Sequence, residues 1–338
     1  MVTNSPAKIK VKKITQVAIA VQDLRIVLED YWNILGIGPW NIYAWEYPTV
    51  HARTYYGKPA WSREIISHAK VGDFELELVQ PIEGPSIYRD FIDEHGEGIH
   101  HLQFMVDDLD NAVEILTEEY GFIDLQGCSC GSSKKGCRYN HIYIEPLGCI
   151  WEIGEYCEGI DTNPINYYPN ITHESPAKLK VNNINQVAIV VRDVKITAKN
   201  YWNILGIGPW AIYEWEPPLV YDRKYHGKPI WGRERIAEAN VGTLQLELTQ
   251  PIEGKSIYQD FLGEHGEGLQ HISSIVNDVD EAAGKLAEDG FVSLQSGRFG
   301  HHHSKNAYNY IDIKNLHAIW ELACYDESHL GIEPTYYP

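Results

Sequence analysis

The sequence predicts an α+β fold built by tandem duplication: four βαβββ modules, two to a domain, each domain a curved eight-stranded sheet with helices outside. Three observations carry this. The phrase YWNILGIGPW at Tyr31–Trp40 recurs letter for letter at Tyr201–Trp210. EHGEG at Glu94–Gly98 recurs at Glu264–Gly268, at the same offset of 170 residues; past Cys130 the offset falls to 169, pairing Glu152 with Glu321. Within each copy the hydrophobic pattern runs through one order of elements twice. The copies span 8–168 and 178–337, and the polar stretch 169–177, which contains Pro176, reads as a linker.

The first module opens with an apolar run, Val17–Val21, that reads as a buried strand. Asp23 follows as a helix N-cap, Leu24, Val27, Leu28, Tyr31 and Leu35 recur at helical spacing, and Gly36 stands where a C-cap glycine belongs. Three extended segments come next, Ile42–Trp45, Glu64–Ala69 and Phe74–Val79. A helix over Ser86–Glu94 links to the second module. That module has a strand at Leu102–Val106, a helix from Leu109 to Tyr120, and strands at Phe122–Leu125, Tyr139–Ile144 and Cys149–Ile153.

With 338 residues, 44% hydrophobic and 22% charged, the chain can bury a full core in each of two domains. A formal charge of −19 argues against nucleic acid, which demands a basic footprint. The lysine-rich start, Met1–Lys13, lacks the apolar run of a secretory signal, and no stretch reaches the roughly 18 apolar residues of a membrane span. Six cysteines in this length do not read as a disulfide framework. A cytoplasmic protein without a membrane partner is expected, with a homo-oligomer left open.

Comparing the copies filters the polar residues on strands. Gln16 matches Gln186, Glu77 matches Glu247, His101 matches His271 and Glu152 matches Glu321, whereas Glu75 and His100 become Gln245 and Gln270. Each copy thus keeps one glutamine, two glutamates and one histidine on the first and last strands of its modules. A single polar residue on such a strand is ordinarily a satisfied core residue. Four that recur together, with two carboxylates among them, call for a cation. The expected metal ligands are Gln16, Glu77, His101 and Glu152, and Gln186, Glu247, His271 and Glu321.

The phrases ELELVQP at Glu75–Pro81, HGEGIHHLQFMVDDLD at His95–Asp110 and NHIYIEPLGCIWEI at Asn140–Ile153 resemble the vicinal oxygen chelate superfamily, most closely its methylmalonyl-CoA epimerase relatives. The resemblance covers nearly all of both copies and implies two tandem domains of that fold. The ligand types are more similar to the eukaryotic glyoxalase I, whose metal is held by glutamine, glutamate, histidine and glutamate; epimerases typically carry histidine where this chain has Gln16 and Gln186. One imidazole per site, with two carboxylates and an amide oxygen, suits Zn²⁺, Mn²⁺, Co²⁺, Ni²⁺ or Mg²⁺ as a Lewis acid. The implied chemistry is proton transfer next to a carbonyl of a small oxygenated substrate, through an enediolate or enolate, by an isomerase, epimerase or lyase. By resemblance to the glyoxalases, Glu152 and Glu321 are the first choice of base and Glu77 and Glu247 the alternative. Two other readings stand beside this one. A non-catalytic, resistance-type binding protein ordinarily lacks the ligands, and an extradiol dioxygenase uses two histidines and one carboxylate.

Around each site an aromatic segment reads as a flap over the core or a wall for the substrate. It contains Trp40, Tyr43, Trp45, Tyr55 and Trp61, paralleled by Trp210, Tyr213, Trp215, Tyr225 and Trp231. Arg53, Arg63, Arg223 and Arg233 read as solvated surface arginines, with an anion-binding role as the alternative. No basic track for a coenzyme A ester or a glutathione adduct is evident, which favours a smaller, uncharged or weakly anionic substrate. Cys128, Cys130 and Cys137, and His301–His303, read as divergent loops rather than metal sites. Spacing alone leaves open whether a site forms within one domain or joins Gln16 and Glu77 to His271 and Glu321.

Overall fold

The structure, a computed structural model, describes residues 4–338 except 133–135, 157–162, 171–173, 302–303 and 326–332. It divides into two compact units: Lys13–Glu145 with Cys149–Ala177, and Lys178–Pro338 with Met1–Lys12 and Pro146–Gly148. Residues 8–12 therefore group with the second copy, and the stretch 169–177 with the first.

In the first domain the elements run β1 (Ile14–Ala20), α1 (Leu24–Asp30), β2 (Trp40–Trp45), β3 (Val50–Tyr55), β4 (Lys58–Pro59), β5 (Arg63–Val71), β6 (Phe74–Glu83) and α2 (Ile87–His95). They continue with β7 (Gly98–Val106), α3 (Leu109–Glu114), β8 (Ile123–Gly131), β9 (Gly136–Ile144), β10 (Cys149–Glu155) and β11 (Asn166–Tyr168). One sheet contains them all in the order β11-β2-β5-β6-β1-β7-β10-β9-β8-β3-β4. The eight expected strands form its middle, four from each module, and three short strands extend the edges. The hairpin β3–β4 belongs in sequence to the first module yet pairs with β8 of the second. The aromatic segment is thus partly a sheet edge.

The second domain repeats this with β12 (Gln186–Val190), α4 (Val194–Ile204), β13 (Trp210–Trp215), β14 (Val220–Tyr225), β15 (Lys228–Pro229), β16 (Gly232–Val241), β17 (Leu244–Gly254) and α5 (Ile257–Glu264). Then follow β18 (Gly268–Ile275), α6 (Val279–Glu288), β19 (Val292–Phe299), β20 (Ala307–Ile313), β21 (Ala318–Cys324) and β22 (Thr335–Tyr337). Its sheet order mirrors the first, β15-β14-β19-β20-β21-β18-β12-β17-β16-β13-β22.

Local chemistry explains the repeated decapeptide. Asp23 caps α1 by accepting from the backbone N–H groups of Arg25 and Ile26, and Asp193 does the same for α4. A π-helical turn, Tyr31–Leu35, continues α1 and ends at Gly36, whose φ of 68° is the left-handed conformation glycine tolerates best. Tyr31, Leu35, Ile37 and Trp40 are then all buried, with Trp40 donating its indole N–H to the Ile37 carbonyl at 2.9 Å. The ten letters encode a helix exit and its packing, not a catalytic motif.

Strand alternation separates two faces. On the outer face Val17, Ile19, Leu76, Leu78, Leu102, Phe104, Trp151 and Ile153 are buried; α1 packs on β5 and β6, and α3 on β9 and β10. On the inner face an apolar cluster of Trp45, Val50, Ile66, Val79, Leu125 and Tyr139 is covered by Ile87, Tyr88 and Ile92 of α2. The polar residues of the sheet lie on the remainder of that inner face, around Ala18.

Candidate metal centre in each domain

Strand register places the polar residues in two rows across the first sheet. One row runs His68, Glu77, Ala18, His101 and Ile150, the other Glu75, Gln16, Gln103, Glu152 and His141. Ala18 matters by its small size: it stands between Glu77 and His101 and leaves space between their longer side chains. Ala188 holds the same place between Glu247 and His271.

Within the first domain the four expected residues converge and are buried. Gln16 donates from Nε2 to Glu77 Oε2 at 2.9 Å. His101 Nε2 lies 3.6 Å from that oxygen and 3.0 Å from Glu152 Oε2. The site therefore forms inside one domain, without exchange of halves. Two further histidines join it. His68 Nε2 is 3.0 Å from Glu77 Oε1, and His141 Nε2 is 3.3 Å from Glu152 Oε2. His101, His141 and Glu152 together could hold a metal ion, their ligand atoms all lying within 4.8 Å of one another. The expectation of one imidazole per site is thus corrected here. Both extra histidines were hidden by the matching of copies, because His68 becomes Glu238 and His141 becomes Tyr310; their places directly across the ladder from Glu77 and Glu152 were the signal available.

The second domain gathers the same four residues more loosely. His271 Nε2 stands 3.9 Å from Glu247 Oε1 and 3.8 Å from Glu321 Oε2. Gln186 donates to Gln245 Oε1 at 2.7 Å, and Thr249 donates to Glu247 Oε1 at 2.5 Å. Among the side chains of these four residues, three buried atoms have no hydrogen-bond partner: Gln186 Oε1, His271 Nε2 and Glu321 Oε2. They are the atoms a cation would take from these side chains. In the first domain His101 Nε2 is likewise buried without a properly aligned hydrogen bond. A residue neighbouring each histidine in sequence fixes its other nitrogen: His271 Nδ1 meets Gln270 Oε1 at 2.8 Å, and His101 Nδ1 meets His100 Nδ1 at 2.9 Å. With Nδ1–H of His271 donating to the Gln270 oxygen, the Nε2 lone pair faces the site. The change from His100 to Gln270 therefore keeps a hydrogen bond to the shared histidine.

Electrostatics divide the copies. Burial alone would raise the Glu152 carboxyl, but His101 and His141 outweigh it and hold the group well below its usual range. His68 behaves alike: burial lowers it, while the hydrogen bond and charge of Glu77 win and lift it to about 9. In the second domain burial raises Glu247 well above its ordinary value, and Glu321 and Glu238 push it further. Burial also raises Glu321 against the hydroxyls of Ser273 and Tyr310. Glu238 rises to about 7 through burial and then Glu321, and His271 falls to about 3 through burial. Three carboxylates face a neutral imidazole, an arrangement that a divalent cation would neutralise.

Other expectations fare differently. Arg53 and Arg223 are not solvated: each is buried in an ion pair, Arg53 with Glu64 at 2.8 Å and Arg223 with Glu234 at 2.6 Å. Arg63 and Arg233 do lie at the surface, 3.8 Å from Glu46 and Glu216. Trp40 and Trp210 are core, Trp45 stacks on Tyr139, and Trp61 and Trp231 are exposed. Cys128, Cys130 and Cys137 lie on β8 and β9 rather than in a loop; the first two are free and buried, and Cys137 is disulfide-bonded. His301 is exposed, and His302 and His303 lie outside the described residues. Among the described residues no helix is long and apolar enough to cross a membrane.

Solved structures share the fold of this chain. A mutant of 4-hydroxymandelate synthase from Streptomyces coelicolor superposes with a TM-score of 0.59 at 14% identity, over 94% of this chain and 94% of that one. A xylose isomerase-like TIM barrel/4-hydroxyphenylpyruvate dioxygenase fusion protein gives 0.51 at 13%, over 96% of this chain and 51% of that one, so the chain spans about half its length. The 2,3-dioxygenase LapB from Pseudomonas sp. KL28 gives 0.48 at 13%, over 97% and 98%. For the first two, at these identities, the likeness is one of fold. No curated protein matches the sequence. The family model of the glyoxalase/bleomycin resistance protein/dioxygenase superfamily matches residues 15–128 and 185–308, one match in each domain. The chain belongs to that superfamily, as a tandem two-domain member.

Proposed function

We propose that the chain is a metal-dependent enzyme of the isomerase, epimerase or lyase type, moving a proton next to a carbonyl of a small, uncharged oxygenated substrate. One observation carries this reading: in both domains a glutamine, two glutamates and a histidine meet on the inner face, with Nε2 of His101 or His271 facing the carboxylates. The donors fit a divalent cation, held by Gln16, Glu77, His101 and Glu152, with His141 in reach, and by Gln186, Glu247, His271 and Glu321. Such an ion would supply Lewis-acid polarisation of a substrate carbonyl.

The chain's own residues supply the rest. Glu152 and Glu321 are the first choice for accepting the proton and returning it, and Glu77 and Glu247 the alternative. Gln103 steadies Glu152, donating to its Oε1 at 2.8 Å, so one oxygen is oriented while the other faces the histidines. Tyr88, above the site on α2, has its hydroxyl 3.2 Å from His141 Nε2 and closes one side against water. Arg53 and Arg223 are already matched by Glu64 and Glu234, so neither offers free positive charge to an anionic substrate. That supports an uncharged substrate.

A second reading has its own support. His101, His141 and Glu152 are two imidazoles and one carboxylate, the donor set of ferrous oxygenases, and it occurs in the first domain alone among the described residues. The test separates the two. Elemental analysis of untagged protein is expected to give two metal equivalents per chain, both lost in the Glu152→Ala, Glu321→Ala variant. Small hydroxycarbonyl compounds incubated in deuterated water are then screened by NMR. Deuterium entering recovered substrate or product supports proton transfer. Oxygen consumption by the iron-loaded protein without deuterium entry supports the second reading, and absence of metal overturns both.

A further inference from the structure

The four shared donors are alike in the two domains, but the residues that complete each site are not. In the first domain His68 faces Glu77 across the β5–β6 ladder and His141 faces Glu152 across β9–β10. At the same places the second domain has Glu238 facing Glu247 and Tyr310 facing Glu321. One site thus presents three imidazoles and the carboxylates of Glu77 and Glu152, with Glu75 at its edge 3.6 Å from His68; the other presents one imidazole, three carboxylates and a phenol, with Gln245 in place of Glu75. Spacing differs too. His101 Nε2 approaches Glu152 and Glu77 to 3.0 and 3.6 Å, whereas His271 Nε2 keeps 3.8 and 3.9 Å from its two carboxylates.

We propose that the two domains have different metal preferences: the first favours an imidazole-seeking ion such as Zn²⁺, and the second is the more tolerant of a hard, oxygen-seeking ion such as Mn²⁺. The inference rests on the reading of both sites as metal centres and adds which residues set the preference. Imidazole donors favour zinc over manganese, whereas carboxylates discriminate between them far less. Zinc outbinds manganese at nearly any site of nitrogen and oxygen donors. What differs is therefore the margin, and His68 and His141 against Glu238 and Tyr310 determine it. The wider spacing in the second domain works in the same direction, because the manganese ion is the larger.

The test is a competition on the full chain, stripped with chelator, with bound Mn²⁺ read by electron paramagnetic resonance as Zn²⁺ is added. His271→Ala with Glu321→Ala leaves the first site to be read; His101→Ala with Glu152→Ala leaves the second. Zinc is expected to displace manganese from the first site at a concentration ratio about tenfold or more lower than from the second. Two exchanges assign the cause. Glu238→His with Tyr310→His is expected to bring the second site's midpoint to that of the first, and His68→Glu with His141→Tyr to move the first toward the second. Either pair suffices if the other fails to fold, which circular dichroism shows. Midpoints within about threefold of each other, or midpoints that the exchanges leave in place, overturn the inference while leaving the metal centres standing. Failure of either domain to bind Mn²⁺ or Zn²⁺ overturns the proposed function itself, and the inference with it.

Discussion

Set side by side, the two inner faces show what a duplicated site keeps and what it lets drift. Gln16, Glu77, His101 and Glu152 reappear as Gln186, Glu247, His271 and Glu321 on the same strands in the same register. The small residue at the centre reappears as well, Ala18 as Ala188, and so does the buried arginine pair, Arg53–Glu64 as Arg223–Glu234. Charge balance does not. The first site partly neutralises its carboxylates with His68, while the second gathers Glu238, Glu247 and Glu321 around an imidazole that burial keeps neutral. Duplication keeps the donors at the same strand positions, while their spacing and the surrounding ring have diverged.

The largest effect expected of any variant tests the shared part. Glu152→Gln in one protein and Glu321→Gln in another should each remove one domain's share of solvent proton exchange, and the double variant should lose about 10²–10⁴-fold. If one single variant loses nearly all the exchange, only that domain is active, and the equivalence of the copies fails. Next comes the buried ion pair. Arg53→Met should destabilise the first domain by about 3–5 kcal/mol in denaturant unfolding, because Glu64 is left buried without its partner. Arg53→Met with Glu64→Leu should recover most of that loss; a double variant as unstable as the single one would show that Arg53 acts by packing rather than by charge.

The smaller effects test the part that diverged, in metal-free protein. Glu238 binds its proton more tightly folded than unfolded, being raised from 4.5 to about 7. Its contribution to stability is therefore fully present below pH 4.5 and lost as the pH rises through about 7. Relative to Glu238→Gln, the wild-type melting temperature should fall across that window, since the other buried groups titrate alike in both proteins. His68 is raised from 6.5 to about 9, so its contribution is present below 6.5 and lost as the pH rises through about 9. His68→Gln should flatten that later, slighter fall. Wild-type, Glu238→Gln and His68→Gln curves that run parallel from pH 4.5 to 9 would contradict the charge contrast between the copies.

The periodicity of the strands and the internal repeat made the module order legible, because buried strands and capped helices leave strong local patterns such as Asp23 to Gly36. The four donors were legible because two copies act as each other's control. The same filter concealed His68 and His141, whose counterparts are Glu238 and Tyr310: residues that differ between copies drop out of an internal comparison even when they touch the site. Arg53 was misread for a different reason. Its burial depends on Glu64, eleven residues away on another strand, and no local pattern announces a long-range ion pair. The edge position of β3–β4 was equally invisible, since its partner β8 lies in the other module.

The seam down the middle of each sheet has a further consequence. β6 and β1 come from one module and β7 and β10 from the other, so Gln16 and Glu77 lie on one side of the β1–β7 junction and His101 and Glu152 on the other. Neither module owns a complete donor set. An ion bound there would act as a rivet between the two modules of one domain, adding RT ln(1 + [M]/Kd) to the work of prying them apart, or about 4 kcal/mol at a thousandfold excess over Kd. The mechanical coherence of the domain would then follow the metal supply of its surroundings, and a chain starved of metal would open first along the line where its two modules meet.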